Sequence, residues 1–288
     1  MKLAIDSYCF HRFFGEVYPG LQEPPPRPMT VWDFLRRARR LGVAGVSLES
    51  CYLPADDEAF LGRLRDTLDE SGFERVWAWG HPRGLCSGTN RAAARDLVRH
   101  VAVARRLGAK VMRIVGGSRH TRPPRWADHK RQLVKMLRGL VGPAEEHGVV
   151  LAMENHIDLR AHEMAEVITA VNSPWLGVCL DTGNNLRLFE DPVAVAKTLA
   201  PWARATHVKD LGARGGDPKD FAFWPSMPLG EGLVDLPAVL GILRRAGYRG
   251  LLAIEFDFLH PDYQEDRALT KSVRYLRELV NGKPAQAR

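Results

Sequence analysis

Four short apolar segments in the second half of the chain each lead to a side chain that can bind a metal ion or transfer a proton. In chain order these groups are Glu154, Asp181, His207 and Glu255. One carboxylate at such a position is most often the N-cap of the next helix, but four successive groups are hard to explain by capping. Brought together, three carboxylates and one imidazole are unstable without a cation. The pattern therefore predicts that these four side chains bind a divalent metal ion.

The ligand types limit the identity of the predicted ion. Carboxylate oxygens and an imidazole nitrogen suit Mn²⁺, Mg²⁺, Co²⁺ or Zn²⁺ better than ions that prefer thiolates, and these ligand types do not choose among the four. Mn²⁺ is the first expectation, and the other three ions stay open. Three carboxylates and one dication leave a net charge near −1, so neighbouring cations should help. Lys209 and Arg113 are expected to supply that charge.

Two further groups are expected to face the same cavity, because alternate residues of a strand point to the same side. His156 follows Glu154 by two residues, and Lys209 follows His207 by two. His156 can be a packed or ligand-orienting histidine, or a general acid–base group that contacts substrate; both interpretations stay open. Lys209 is expected to bind substrate or stabilise an oxyanion, since a metal ion already provides the electron sink.

The elements that position these groups follow one repeated pattern. An amphipathic segment, a glycine or turn, and a short run rich in Val, Ile and Leu recur until eight such runs have passed. Runs without clean alternation are typical of parallel strands covered on both faces, so the sequence predicts a single-domain α/β protein, a closed (β/α)8 barrel. An open doubly wound sheet is the alternative, and no GxGxxG follows the first run. The predicted helices span residues 31–41, 56–71, 91–107, 128–147, 161–171, 192–201, 236–246 and 265–281.

Composition favours a cytoplasmic protein with a small-molecule substrate. Among 288 residues, 45% are hydrophobic and 26% are charged, as in ordinary globular proteins. We identify no apolar run long enough to span a membrane and no secretory signal. The four cysteines are widely spaced, which favours a reducing compartment. The net charge of +7 lies mostly in clusters typical of solvated helix faces, so we expect no nucleic-acid partner and no membrane partner.

Several segments resemble the xylose isomerase-like TIM barrels, a group that includes ketose 3-epimerases, hydroxypyruvate isomerase, inosose dehydratase and endonuclease IV. The resemblance is carried by LAMENH, GVCLDTGN, THVKD, PLGEGLVD and LLAIEF. It implies that residues 1–281 form one such barrel, and residues 282–288 are expected to be a disordered tail. Endonuclease IV needs additional histidines that the sequence lacks, so a DNA-repair function is not expected.

The resemblance also implies a reaction. In the ketose 3-epimerases the metal ligands look like Glu154, Asp181, His207 and Glu255, and the two glutamates act as bases on opposite faces of the substrate. The expected catalytic residues are therefore Glu154 and Glu255, with His156 and Lys209. The predicted activity is isomerisation or epimerisation of a keto-sugar or related polyhydroxy carbonyl compound through a metal-stabilised enediolate. The alternative is a lyase on the same scaffold: a dehydratase, a 3-oxo acid decarboxylase or a C-glycoside-cleaving enzyme.

Six further residues are expected to contact the substrate. Asn184 replaces a histidine that touches substrate in the epimerases, so substrate and reaction can both differ from theirs. A basic loop that contains Arg122 suggests a substrate with a carboxylate or a phosphate. The expected small-molecule substrate is a sugar or sugar acid. Relatives form dimers or tetramers or use an accessory subunit, so either kind of protein partner is an open expectation. The six expected contacts are Arg113, Asn184, Arg122, His81, Glu49 and Trp224, the last in an aromatic segment, 221–232, expected to act as a lid with flexible glycines.

Overall fold

The computed structural model describes residues 1–81 and 83–282 of the chain. Eight parallel strands close into a barrel, as the sequence predicts, and successive strands are hydrogen-bonded neighbours. The barrel closes where the first strand pairs with the last, with Lys2 opposite Leu251 and Ile5 opposite Ile254. The strands are β1 (Lys2–Asp6), β2 (Gly45–Glu49), β3 (Glu74–Ala78), β4 (Val111–Ile114), β5 (Val150–Glu154), β6 (Leu176–Asp181), β7 (Ala203–Val208) and β8 (Leu251–Ile254).

Eight helices follow the strands and cover the outside of the barrel. No end of a helix differs by more than two residues from the sequence prediction. The helices are α1 (Val31–Leu41), α2 (Glu58–Glu70), α3 (Arg91–Arg106), α4 (Trp126–His147), α5 (Ala161–Val171), α6 (Pro192–Leu199), α7 (Leu236–Arg245) and α8 (Glu265–Val280).

Local side-chain chemistry explains why these helices begin and end where they do. The Thr30 side chain accepts from the Asp33 amide, and the Asp33 side chain accepts from the Thr30 amide, which forms a capping box at the start of α1. Gly42 ends that helix in the left-handed conformation, with φ of 61°, which glycine adopts without steric penalty. Gly148 ends α4 in the same way, at the point where the repeated sequence pattern has a glycine before an apolar run.

The apolar core has two parts, and their difference in side-chain size matters for the site. The larger part lies between the strands and the surrounding helices. The smaller part lies inside the barrel and consists mainly of small residues, which leave room at the carboxyl ends of the strands. Its buried members are Ala4, Val76, Ala152, Cys179, Ala205, Leu251 and Ala253.

Two sequence predictions concern the ends and the environment of the chain. Within the part that the structure describes, none of the helices is both long and apolar enough to cross a membrane. Of the predicted disordered tail, residues 283–288 lie outside the described residues.

Candidate metal centre and substrate cavity

Strand alternation delivers five ionisable side chains to one end of the barrel interior. Each of these side chains lies two positions after a small residue that faces the barrel interior. Because alternate residues of a strand point to the same side, the ionisable side chain also points inward. The five pairs are Ala4 and Asp6, Ala152 and Glu154, Cys179 and Asp181, Ala205 and His207, and Ala253 and Glu255.

The four predicted metal ligands form one buried cluster. Glu154, Asp181, His207 and Glu255 each offer one ligand atom, and these atoms all lie within 4.8 Å of one another. Asp181 and His207 are paired in register on adjacent strands. The Nδ1 atom of His207 lies 3.1 Å from Glu255 Oε2 and 3.5 Å from Glu154 Oε1. One imidazole nitrogen therefore faces two carboxylates.

The arrangement of donors and acceptors fits a bound cation. Asp181 Oδ1 accepts hydrogen bonds from the backbone amides of Gly183 and Asn184, each at 2.7 Å. Its Oδ2 is buried and accepts no hydrogen bond from the described residues, and the same is true of Glu255 Oε2, although both oxygens form ion pairs with the Lys209 ammonium. The Nδ1 atom of His207, which faces the two glutamates, has no hydrogen-bond partner there either. Buried polar atoms without hydrogen bonds are rare in native proteins, and a divalent ion bound by these atoms would satisfy them.

Two cations partly balance the acidic cluster, as the sequence predicts. Arg113 forms an ion pair with Glu49, and its Nε lies 3.2 Å from Glu154 Oε2. Lys209 Nζ lies 2.9 Å from Glu255 Oε2 and 3.3 Å from Asp181 Oδ2. Both cations are buried, so their interactions with the carboxylates are weakly screened by solvent.

These contacts set the protonation of the two glutamates. Burial alone would raise the pKa of Glu154, but Arg113 and His207 outweigh it and lower the pKa to about 2. Burial also opposes ionisation of Glu255, but His207 and Lys209 hold its pKa well below the ordinary value. Both glutamates are therefore carboxylates at neutral pH.

The remaining groups respond differently to the same environment. Burial raises the pKa of Asp181 to about 6, although Lys209 partly offsets that rise. Burial would lower the pKa of His207, but Glu255 and Glu154 outweigh it and raise the pKa. Burial, with Lys209 and Arg113, lowers the pKa of His156 despite the opposing charge of Glu154, so this imidazole is neutral at pH 7.

A cavity of about 390 Å³ opens above the cluster, and most of the predicted functional residues line it. The predicted metal ligands Asp181 and His207 lie beneath its surface. Of the ten residues predicted to act in catalysis or to contact substrate, eight line the wall of this cavity and two do not. On the wall are Glu154, Glu255, His156, Lys209, Arg113, Asn184, His81 and Glu49, whereas Arg122 and Trp224 are outside.

The placement of Arg122 and Trp224 has a local cause. The Arg122 guanidinium donates to both carboxylate oxygens of Glu163, at 2.5 and 2.7 Å, and to the Asp158 carbonyl. This pairing directs it toward the start of α5 and away from the cavity. Trp224 Nε1 donates to the Pro218 carbonyl within its own loop. Neither side chain lines the cavity, although Phe221 of the same aromatic segment does.

Arg187 and Asp257 line the cavity and were missed by the sequence analysis. Arg187 Nη2 lies 2.9 Å from Asp257 Oδ2, and its Nη1 donates to Asn184 Oδ1 at 2.9 Å. Asp257 follows Glu255 by two residues, so strand alternation was an available signal for it. Arg187 lies in a short 3₁₀ helix after β6, where no period indicates its direction.

The glycines predicted as flexible points of the lid take part in hydrogen bonds to one buried carboxylate. The backbone amides of Gly230, Gly232 and Val234 all donate to the Asp210 carboxylate, at 2.9 to 3.0 Å. Asp210 is buried and belongs to a short antiparallel pair, Asp210–Leu211 with Ser226–Met227. These contacts hold Gly230 and Gly232 close to the end of β7, and motion of the segment as a lid stays a prediction.

A closed (β/α)8 barrel with a buried Glu–Asp–His–Glu cluster at the carboxyl ends of its strands defines the class of this protein. The chain belongs to the xylose isomerase-like TIM-barrel family, whose model matches residues 35–279. This match confirms the resemblance predicted from the sequence. The relatives that this chain matches by sequence include sugar-modifying enzymes.

Similar proteins carry different reaction names. The chain is 28% identical over 247 residues to the 3-oxo-isoapionate decarboxylase of Pectobacterium atrosepticum. That alignment covers 85% of this chain and 81% of the decarboxylase. The chain is 30% identical over 206 residues to the 2-epi-5-epi-valiolone 7-phosphate 2-epimerase of an Actinoplanes species, covering 69% of this chain and 72% of that protein. The crystal structure of the IolI protein with a bound zinc atom has the same fold, with a TM-score of 0.75, 16% identity and 98% coverage of both chains.

Proposed function

We propose that this chain is a divalent-metal-dependent isomerase or epimerase of a keto-sugar or a related polyhydroxy carbonyl compound. The observation that carries this proposal is the buried four-residue cluster beneath a cavity lined by ionised carboxylates and cations. Glu154, Asp181, His207 and Glu255 would hold the ion, for which we favour Mn²⁺. When bound, such an ion supplies Lewis-acid stabilisation of negative charge on substrate oxygens.

Glu154 and Glu255 are proposed to move the proton of the carbon next to the carbonyl. They come from the ends of different strands and both line the cavity, so a substrate can present either face to a carboxylate. Their lowered pKa values keep both groups in the form that accepts a proton. Each is also held in place, Glu154 by Asn184 Nδ2 at 2.9 Å and Glu255 by Lys209 Nζ at 2.9 Å.

The cations and neutral groups are proposed to orient the substrate and stabilise developing charge. Lys209 is placed to stabilise an oxyanion next to Glu255, because its ammonium is fixed before substrate binds. The neutral His156 has a buried Nδ1 without a hydrogen-bond partner among the described residues, which makes it a candidate for contact with a substrate hydroxyl. Arg113, Glu49 and His81 complete the polar wall for a sugar or sugar acid.

Solvent exchange tests this function directly. The protein is incubated with Mn²⁺ and a panel of keto-sugars and keto-sugar acids in D2O, and the products are followed by NMR and mass spectrometry. Isomerisation or epimerisation places solvent deuterium on the carbon next to the carbonyl without fragmentation. A metal-loaded protein that exchanges no such proton in any panel member and produces no fragment contradicts the proposal.

A lyase that uses the same site is the second candidate. The similarity to 3-oxo-isoapionate decarboxylase over 85% of this chain favours it. Loss of CO2 from a 3-oxo acid needs charge stabilisation and a proton donor, and the Lys209 ammonium, which Glu255 holds in place, is proposed to provide both. In the same incubation, release of CO2, water or an aglycone identifies the lyase reaction.

A further inference from the structure

The ammonium group of Lys209 is surrounded by four side-chain oxygens. Its Nζ lies 2.9 Å from Glu255 Oε2, 3.1 Å from Asp257 Oδ2, and 3.3 Å from both Asp181 Oδ2 and Asn184 Oδ1. The Lys209 side chain is only 3% exposed. Three carboxylate oxygens and one amide oxygen around a buried positive centre are the type of environment that a hard divalent cation also prefers.

Two of these oxygens belong to the predicted metal centre itself. Asp181 and Glu255 belong to the four-residue cluster and also contact the ammonium, through Oδ2 and Oε2 respectively, so their carboxylates lie between two positions for positive charge. Carboxylates shared in this way are common in sites that hold two metal ions about 3.5–4 Å apart. The site therefore has the arrangement of a two-cation centre in which the Lys209 ammonium occupies one of the two cation positions.

Asp257 is the acid that belongs to the Lys209 position alone. Its Oδ1 accepts from Ser226 Oγ at 2.7 Å and from the Phe258 amide at 2.8 Å, which fixes Oδ2 toward Lys209 and Arg187. Asp257 is buried but is not a member of the four-residue cluster. A carboxylate built into the second position supports a cation there that is distinct from the predicted metal ion.

Formal charges give the same result. The Arg113–Glu49 ion pair is neutral, and the carboxylates of Asp6, Glu154, Asp181, Glu255 and Asp257 carry five negative charges. One divalent ion, together with Lys209 and Arg187, cancels four of these charges. A second dication beside an intact Lys209 would change the net charge from −1 to +1, whereas two dications beside a neutral side chain at position 209 would leave the site neutral, and uncompensated buried charge is costly.

We propose that Lys209 acts as a tethered second cation that restricts this site to one divalent ion. The inference rests on the proposed function, because it presupposes an ion bound by the four-residue cluster. Its consequence is that shortening Lys209 opens a second metal site formed by Asp257, Asn184, Asp181 and Glu255.

Two variants that remove the same charge separate this idea from a general electrostatic effect. Lys209→Ala removes the charge and opens the space, whereas Lys209→Met removes the charge but keeps a side chain of similar length there. Mn²⁺ is titrated into each metal-free protein by calorimetry, and the loaded proteins are examined by electron paramagnetic resonance. We expect one ion in the wild type, two spin-coupled ions in Lys209→Ala, and one ion in Lys209→Met, bound at least about tenfold more tightly than in the wild type.

The possible results lead to different conclusions. One ion in Lys209→Ala, or two in the wild type, overturns the inference and leaves the proposed function intact; no ion in the wild type overturns both. Asp257→Asn added to Lys209→Ala should weaken the second ion at least about tenfold, and unchanged binding also overturns the inference. If Lys209→Ala unfolds without metal, Mn²⁺ should refold it, as measured by circular dichroism, and elemental analysis of the refolded protein should find two ions per chain. Failure to refold, or one ion per refolded chain, counts against the inference.

Discussion

Asp6 and His207 face each other in the barrel interior, with Asp6 Oδ2 3.4 Å from His207 Nε2. The opposite ring nitrogen, Nδ1, faces Glu154 and Glu255. Asp6 is fully buried at the end of β1, and its Oδ1 accepts from the Tyr8 amide at 2.6 Å, which orients the carboxylate. A carboxylate behind the imidazole fixes both the ring orientation and the nitrogen that is free to bind a metal ion.

Asp6→Asn should weaken metal binding without unfolding the protein. The amide can still accept from the Tyr8 backbone, but it no longer offers a charged acceptor to His207. Loss of such a partner typically costs 10- to 100-fold in metal affinity, and we expect a decrease of about that size for Mn²⁺. Calorimetry measures the affinity, and circular dichroism checks the fold. An unchanged dissociation constant would show that Asp6 does not orient the imidazole.

Removal of divalent ions should lower thermal stability. Bound metal offsets the repulsion among the three buried carboxylates, and an ion at 100 times its dissociation constant adds about 2.7 kcal/mol to the free energy of unfolding. The chelated protein should therefore have a Tm several degrees lower, and Mn²⁺ should restore it. Asp181→Asn, which lacks one predicted ligand, is the control and should lose most of this response. Equal Tm values for chelated and Mn²⁺-treated wild type would contradict the metal centre.

Glu255→Gln should abolish most of the turnover while leaving the fold intact. The amide cannot accept the substrate proton, and loss of a positioned acid–base group costs about 100- to 10,000-fold in kcat. Glu74→Gln is the matched control, because Glu74 is exposed at the start of β3, at the opposite end of the barrel. Steady-state rates on the substrate identified in the D2O panel provide the measurement. A variant that keeps wild-type kcat rules out the role proposed for Glu255.

The sequence was sufficient to predict the barrel and the grouping of the four candidate ligands. Both depend on regular periods: the spacing of apolar runs defines the strands and helices, and the carboxyl ends of parallel strands meet at one end of a barrel. Once Glu154, Asp181, His207 and Glu255 are assigned to strand ends, their proximity follows from topology. No knowledge of loop conformation is needed for that step.

Residues in loops could not be placed in this way. Arg122 and Arg187 both lie in loops that follow barrel strands. Arg122 nevertheless forms an ion pair with Glu163 outside the cavity, whereas Arg187 forms one with Asp257 on the cavity wall. The difference depends on which acid each loop conformation brings within reach, and single-sequence periodicity contains no such information. Which acid faces each nitrogen of the His207 ring depends on the side-chain rotamers at the strand ends, and the period of a strand does not specify those.

The two arginines therefore give opposite predictions. Arg122→Ala should change KM less than twofold and lower the free energy of unfolding by about 1–2 kcal/mol, because it loses charged hydrogen bonds to Glu163. Arg125→Ala, a neighbouring exposed arginine, is its control for stability. Arg187→Met should raise KM at least about tenfold, since Arg187 lines the cavity. A large KM increase in Arg122→Ala would restore the sequence-based expectation of substrate contact.

Asp158 has an unusual environment for a carboxyl group outside the metal centre. It is 1% exposed, and neither of its carboxyl oxygens has a hydrogen-bond partner among the described residues. Burial is the main cause that raises its pKa from 3.8 to about 7, although its own backbone amide and Arg122 act in the opposite direction. Between these two values the folded protein keeps a proton that the unfolded chain has already released.

This difference makes stability depend on pH in a defined direction. Since the unfolded state binds fewer protons in that window, the contribution of Asp158 to stability decreases as the pH rises from about 4 to 7, and it is constant above that range. Asp158→Asn cannot titrate, so the variant should gain stability relative to wild type by on the order of 2–3 kcal/mol between pH 5 and pH 8. Urea unfolding at both pH values measures the change, with Asp56→Asn at an exposed carboxylate as the control. A constant difference between Asp158→Asn and wild type at the two pH values would mean that Asp158 does not keep its proton in the folded protein.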